Sequence, residues 1–147
     1  MAMTDLPPTR VSVRLQDTPL SSEEALARVD APGCGARLLF CGTVRDHHLG
    51  RQVERLEYQA YEPMALREFE RIARRVLERW PIEQIAIFHR LGTLEVGETS
   101  LVVAISLAHR SDGFDAMSHI IDSIKETVPI WKREHYTDGS PRWIEGS

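Results

Sequence analysis

The sequence predicts an α+β fold in a single domain, and three observations carry that prediction. Segments with strand character often follow one another directly along the chain, as Ala36 to Val44 and Val53 to Tyr61 do. Helical segments do not alternate with them one for one, which disfavours a regular βαβ repeat. At 147 residues the chain is long enough for one real core and too short for two. It shows no internal repeat and no low-complexity stretch.

Residues 1–10 carry two prolines and no pattern, and are read as a flexible N-terminus ahead of a domain over residues 11–147. Val11-Ser12-Val13-Arg14-Leu15 alternates apolar and polar residues, the mark of a half-buried strand. Ser21 with Glu24 matches a capping box and opens a short helix, which Pro32-Gly33-Cys34-Gly35 breaks. Ala36 to Val44 reads as a buried strand and Val53 to Tyr61 as an alternating one. The segment between them, Arg45 to Arg51, is polar and exposed. Pro63 fits a first helical turn, and Leu66, Phe69, Ile72 or Ala73, Val76 or Leu77, and Trp80 then recur at helical spacing up to Pro81. Ile85 to Phe88 and Leu101 to Leu107 are strands, separated by the turn-rich Gly92 to Gly97. A second long helix begins near Ser111, with Phe114, Met117, Ile121, Ile124 and Val128 on one face. Pro129 disfavours helix at the residue before it, so this helix ends just after Lys125. Ile130-Trp131-Lys132 is extended, and Arg142 to Glu145 makes a last short strand.

Composition narrows the function. Apolar residues at 42% and charged residues at 27% are ordinary for a globular protein. A net charge of -4 argues against general nucleic-acid binding, which calls for a basic domain. No run of about 18 apolar residues marks a membrane span, and MAMTDLPPTR has no apolar signal core. Cys34 and Cys41 have neither a redox nor a zinc spacing and read as buried thiols beside a strand. The expectation is a reduced, cytoplasmic protein.

Three short stretches carry possible chemistry. In KETVPIWKRE, Lys125 to Glu134, two lysines bracket an apolar Pro-Ile-Trp segment where a helix ends and the chain turns back. A cation near a helix C-terminus is favoured by the macrodipole, which accounts for Lys125 taken singly. Lys132 has no such account. It serves either as a charge clamp or, if burial and neighbouring cations lower its pKa, as a nucleophile or general acid–base. In Ser106 to Asp112, the pair His109-Arg110 stands where a strand hands over to a helix. That is an anion site at a helix N-terminus, or an ordinary cap with Ser111 as N-cap. In Gly42 to His48, Arg45 and the adjacent histidines end an apolar strand. The scattered His89, His119 and His135 supply no zinc geometry, so no metal is assigned.

Three longer segments, FCGTVRDHHLGRQVERLEYQAYEPMA, FHRLGTLEVGETSLVVAISLAHRSDGFDA and IKETVPIWKREHYTDGSPRWIEG, resemble the catalytic, large subunit of the molybdopterin synthase family. The resemblance covers about residues 36–146. It implies an α/β-hammerhead fold and a homodimer within a heterotetramer. A small ubiquitin-like sulfur-carrier subunit would sit at each end and bring a C-terminal Gly-Gly thiocarboxylate. The implied reaction passes two sulfur atoms to cyclic pyranopterin monophosphate (precursor Z), giving the dithiolene of molybdopterin, with no cofactor.

Carried over by position, Lys125 and Lys132 match the family's two active-site lysines. Arg45, His109 and Arg110 match its substrate-anion contacts, and Thr43, Val44, Arg133 and Glu134 line the same pocket. The resemblance also allows a transient bond from one lysine to the carrier's terminal glycine. Two positions depart from the pattern. His48 stands where many relatives carry asparagine, and an arginine from a charged tail beyond Trp143 is replaced by Arg142 or Arg133 or left unfilled. A carrier-tail binding module without turnover, or a phosphate-ligand binding protein, remains the alternative.

Overall fold

The structure, a computed structural model, describes residues 10–145. Its strands form two sheets. The first contains β1 (Val11–Gln16), β5 (Ile82–Arg90), β7 (Thr99–Leu107) and β2 (Ala36–Thr43), in that order, with β1 parallel to β5 and the other pairs antiparallel. The second runs β3 (His47–His48), β4 (Arg51–Ala60), β8 (Ile130–Tyr136), β9 (Pro141–Glu145), and β6 (Gly92–Glu95) also pairs with β4.

The helices decide which strands are wholly buried. On α1 (Ser22–Arg28), Ala25 packs with Ala86, Phe88, Val102 and Ala104 on one face of the first sheet. On the other face, Ile85, Ile87, Val103 and Ile105 join the core formed with α2 (Glu62–Arg79) and α3 (Gly113–Thr127). Covered on both sides, β5 and β7 are apolar without alternation. The long helices bury Ala65, Phe69, Ile72, Ala73 and Val76 from α2 and Ala116, Met117, Ile120 and Ile124 from α3, each a single helical stripe. Pro63 sits in the first turn of α2, and Trp80 ends it ahead of Pro81.

The α+β expectation is met: helices and antiparallel strands are mixed in one domain, and the folding pattern matches solved structures described below. Several details are corrected. β2 is an edge strand of alternating exposure rather than a buried one, because among the described residues the short α1 covers its outer face only in part, where Arg37 donates to the Leu26 carbonyl; Cys41 on it is exposed and Cys34 half-buried. The polar connection after β2 folds into the β3–β4 hairpin, whose turn residues Leu49 and Gly50 take φ of 52° and 78°. Part of the turn-rich Gly92–Gly97 segment is β6.

At the start of α3, Phe114 lies about 100° round from the buried stripe and is 66% exposed. Ser111 falls inside a 3-10 turn, Arg110–Asp112, and caps nothing. The capping box is half made: Ser21 Oγ accepts from the Glu24 N–H at 3.1 Å, while the Glu24 carboxylate turns to Arg14. Arg10 is tied down, donating to the Glu83 and Ile82 carbonyls; residues 1–9 of the expected flexible N-terminus lie outside the described residues.

Candidate active site

Pro129 shapes the site before any side chain does. Helix α3 ends at Thr127, Val128 is extended, and the Ile130 N–H donates back to the Val128 carbonyl at 2.8 Å, so the chain reverses within three residues. This turn brings Lys125, in the last turn of α3, beside Lys132, the third residue of β8. Strand alternation then sorts β8. Lys132 and Glu134 face one side with Tyr58 and Leu56, their register partners on β4, while Trp131 and Arg133 face the other.

Lys125 and Lys132 line one cavity of about 340 Å³ with Phe40, Gly42, Thr43, Arg45, Tyr58, Ser100 and Leu101. Edge strand β2 supplies one wall and delivers Arg45 past its end. Val44 is 3% exposed, with its N–H donated to the Glu98 carbonyl and its carbonyl accepting from Gly97, so the residue after it is held at the rim. The cavity carries three cationic side chains in a chain of net charge -4. Of the 18 Lys and Arg residues only Lys125 and Lys132 are lysines, and both are here.

Burial pushes the Lys132 amine below its ordinary lysine pKa; Glu134 opposes this, and Arg45 and Lys125 reinforce it. A cation crowded by two others is a site prepared for an anion, and an amine of lowered pKa gives up its proton more readily. Beneath the cavity, Tyr58 meets the buried His89 edge-on at 4.9 Å between ring centroids. His89 donates from Nδ1 to the Arg90 carbonyl, and burial depresses its pKa to about 4, so the ring is neutral.

Four of the nine residues singled out in the sequence, Thr43, Arg45, Lys125 and Lys132, are therefore brought together. Val44 and the 3%-exposed Glu134 support the wall from within rather than line it. Arg133 stands on the opposite sheet face, with its guanidinium 5.6 Å from the Trp143 ring. His109 and Arg110 are exposed at the other end of α3, roughly 20 Å of helix away from Lys125. Arg142 is the register partner of Glu134 and so shares the Lys132 side of the sheet. The adjacent histidines part company: His47 pairs with Asp46, and His48 Nδ1 lies 2.7 Å from Glu134 Oε1. Sequence reasoning missed Phe40, Gly42, Tyr58, Ser100 and Leu101, whose membership depends on strand register. The scarcity of lysine was the readable signal it did not use.

Residues 15–127 match the family model described as MoaE protein. The chain belongs to the MoaE family. It is 45% identical over 138 residues to the molybdopterin synthase catalytic subunit of Pyrococcus abyssi, covering 94% of this chain and 93% of that one. The crystal structure of molybdopterin synthase from Staphylococcus aureus superposes with a TM-score of 0.82 at 32% identity, covering 95% of this chain and 98% of that one. A complex of subunits 1 and 2 of the molybdopterin-converting factor from Helicobacter pylori shares the fold, with a TM-score of 0.67 at 20% identity, covering 93% of this chain and 90% of that one. In this MoaE chain no helix of the described residues is long and apolar enough to cross a membrane.

Proposed function

We propose that this chain is the sulfur-transferring catalytic subunit of a molybdopterin synthase. In this reading it accepts the thiocarboxylated Gly-Gly tail of a small ubiquitin-like carrier and passes sulfur to precursor Z to build the dithiolene. The observation that carries the proposal is that the chain's only two lysines line one cavity together with Arg45. Both reactants are anionic, a phosphorylated pterin and a terminal thiocarboxylate, and a cationic cavity in an acidic chain suits them. Lys125 and Lys132 would hold these anions and stabilise the oxyanion that forms when the thiocarboxylate carbonyl is attacked. The lowered pKa of Lys132 fits it to move a proton as well as to supply charge.

Thr43 and Arg45 complete the substrate contacts in this reading. His109 and Arg110 reach a cavity only from a second copy, since within one chain they stand a helix length from Lys125. The proposal therefore includes a homodimer carrying one carrier per cavity, acting in the cytoplasm. Mixing the purified chain with thiocarboxylated carrier and precursor Z tests it. Dithiolene product is the expected result; carrier binding with no product would leave only a tail-binding module.

A further inference from the structure

A buried carboxylate lies next to the cationic cavity without pairing to its nearest amine. Glu134 follows Lys132 by two residues on β8, faces the same side of the sheet, and is 3% exposed. Two residues of extended chain separate their Cα atoms by about 6.6 Å, within easy reach of two long side chains. Among the described residues, however, no carboxylate comes within 4.0 Å of the Lys132 ammonium. The Glu134 carboxylate is engaged elsewhere. Its Oε1 accepts from the Tyr136 hydroxyl at 2.8 Å and lies 2.7 Å from His48 Nδ1. A carboxylate only accepts, so Nδ1 carries the proton of that bond. Tyr136 is itself held, buried at 2% exposure with the Arg51 guanidinium 3.7 Å above its ring.

We propose that His48 and Tyr136 form a tether that holds the Glu134 carboxylate off Lys132, leaving that amine unpaired for the incoming anions. His48, Tyr136 and Glu134 are then positioning residues, acting through Lys132 and not on the substrate. The groups around Lys132 are Arg45 from the end of β2, Lys125 from α3, Tyr58 from β4 and Glu134 on its own strand. Those around Glu134 are His48 from β3, Tyr136 and Lys132 from β8, and Arg142 from β9. Glu134 is the one anion among them. At its tethered distance it tempers the crowding of cations around Lys132; in direct contact it would form a closed ion pair that the substrate would have to break. Cut from its tether, the carboxylate can pair with Lys132, two residues away on its own face and half-buried, in preference to Arg142, its cross-strand partner, which is exposed. The inference rests on the catalytic reading for its purpose, but its geometry can be tested without turnover.

The chain has only Lys125, Lys132 and its α-amino group as amines, so reductive methylation with isotope-labelled formaldehyde gives few signals to follow by NMR across pH. In His48→Ala/Tyr136→Phe the freed carboxylate should pair with Lys132 and move its titration midpoint up by about one pH unit, with Lys125 little changed. His48→Asn keeps a donor and should titrate like the parent. His48→Ala alone, on a partly exposed hairpin, should shift in the same direction and serves if the double variant does not fold. In activity assays the acid limb of the rate profile should move alkaline in step. An unchanged Lys132 midpoint in His48→Ala and the double variant overturns the tether, as does a shift in His48→Asn as large as in His48→Ala. A parent that titrates as described yet forms no product sinks the catalytic reading and leaves the tether standing.

Discussion

The two ends of α3 carry similar sequence signals and have different surroundings. At the start, His109 and Arg110 precede the helix by a single 3-10 turn, and Arg110, His109 and Phe114 all stand in solvent. At the finish, Lys125, itself exposed, lines a cavity walled by β2, β4 and β8 in which Lys132 is half-buried. Cations beside a helix terminus read alike in one dimension. What separates them is that Pro129 folds β8 back beside one end, while among the described residues of one chain nothing covers the other. Partial burial, as at Lys132, raises the electrostatic worth of a charge, because fewer waters screen it. Function is therefore expected to fail differently at the two ends.

The largest expected effect is at the cavity end. Lys132→Ala should lower turnover by about 100- to 1000-fold, the usual loss for one donor to a developing oxyanion, and Lys125→Ala by a similar factor. Neither should lower the melting temperature appreciably, since each removes a cation from a site already crowded with them. Lys132→Arg should not restore the rate, because a guanidinium keeps its proton. Wild-type turnover in Lys132→Ala would erase the contrast between the ends.

Next comes a stability effect beneath the same cavity. The unfolded His89 titrates near 6.5 and the folded one near 4, so the folded state refuses a proton that the unfolded chain accepts. Stability should fall as pH drops from about 6.5 to 4, by about 3 kcal/mol from this residue, and this loss is complete below pH 4. Denaturant titrations across that range should show a shallower fall for His89→Gln. An equal slope in both proteins would place the acid sensitivity in the carboxylates instead.

At the open end, Arg110→Ala should weaken precursor Z binding by about 10- to 150-fold, the cost of one charge-assisted contact, with carrier affinity unchanged. Arg110→Lys should recover only part of that loss. Equal dissociation constants in all three proteins would make this corner structure only. The smallest effect is expected at Phe114, 66% exposed, where alanine should change stability by no more than about 0.5 kcal/mol in a dilute monomer. A larger loss that grows with protein concentration would show that the second copy of the proposed homodimer covers Phe114 as well.

Local physics made much of the fold legible. Pro63, Pro81 and Pro129 bound the long helices from sequence alone, since a missing N–H and a clashing ring act on immediate neighbours. Apolar periodicity located α2 and five of the larger strands for the same reason. It misread β2 as buried, because exposure of an edge strand depends on what packs against it, and it read β6 as turn, because four residues become a strand only through pairing with β4.

The sequence by itself determined that two lysines stand either side of a Val-Pro turn, and so that they come together at a helix end. Motif resemblance named their chemistry, and the family match agrees with it. Only the tertiary structure decided that Tyr58, Ser100 and Phe40 share their cavity, that Arg133 faces away from it, and that His48 reaches Glu134 across 86 positions of chain. Those outcomes follow from strand register, in which a shift of one residue exchanges the two faces of a sheet. Register is fixed by the whole core acting at once rather than by any short stretch.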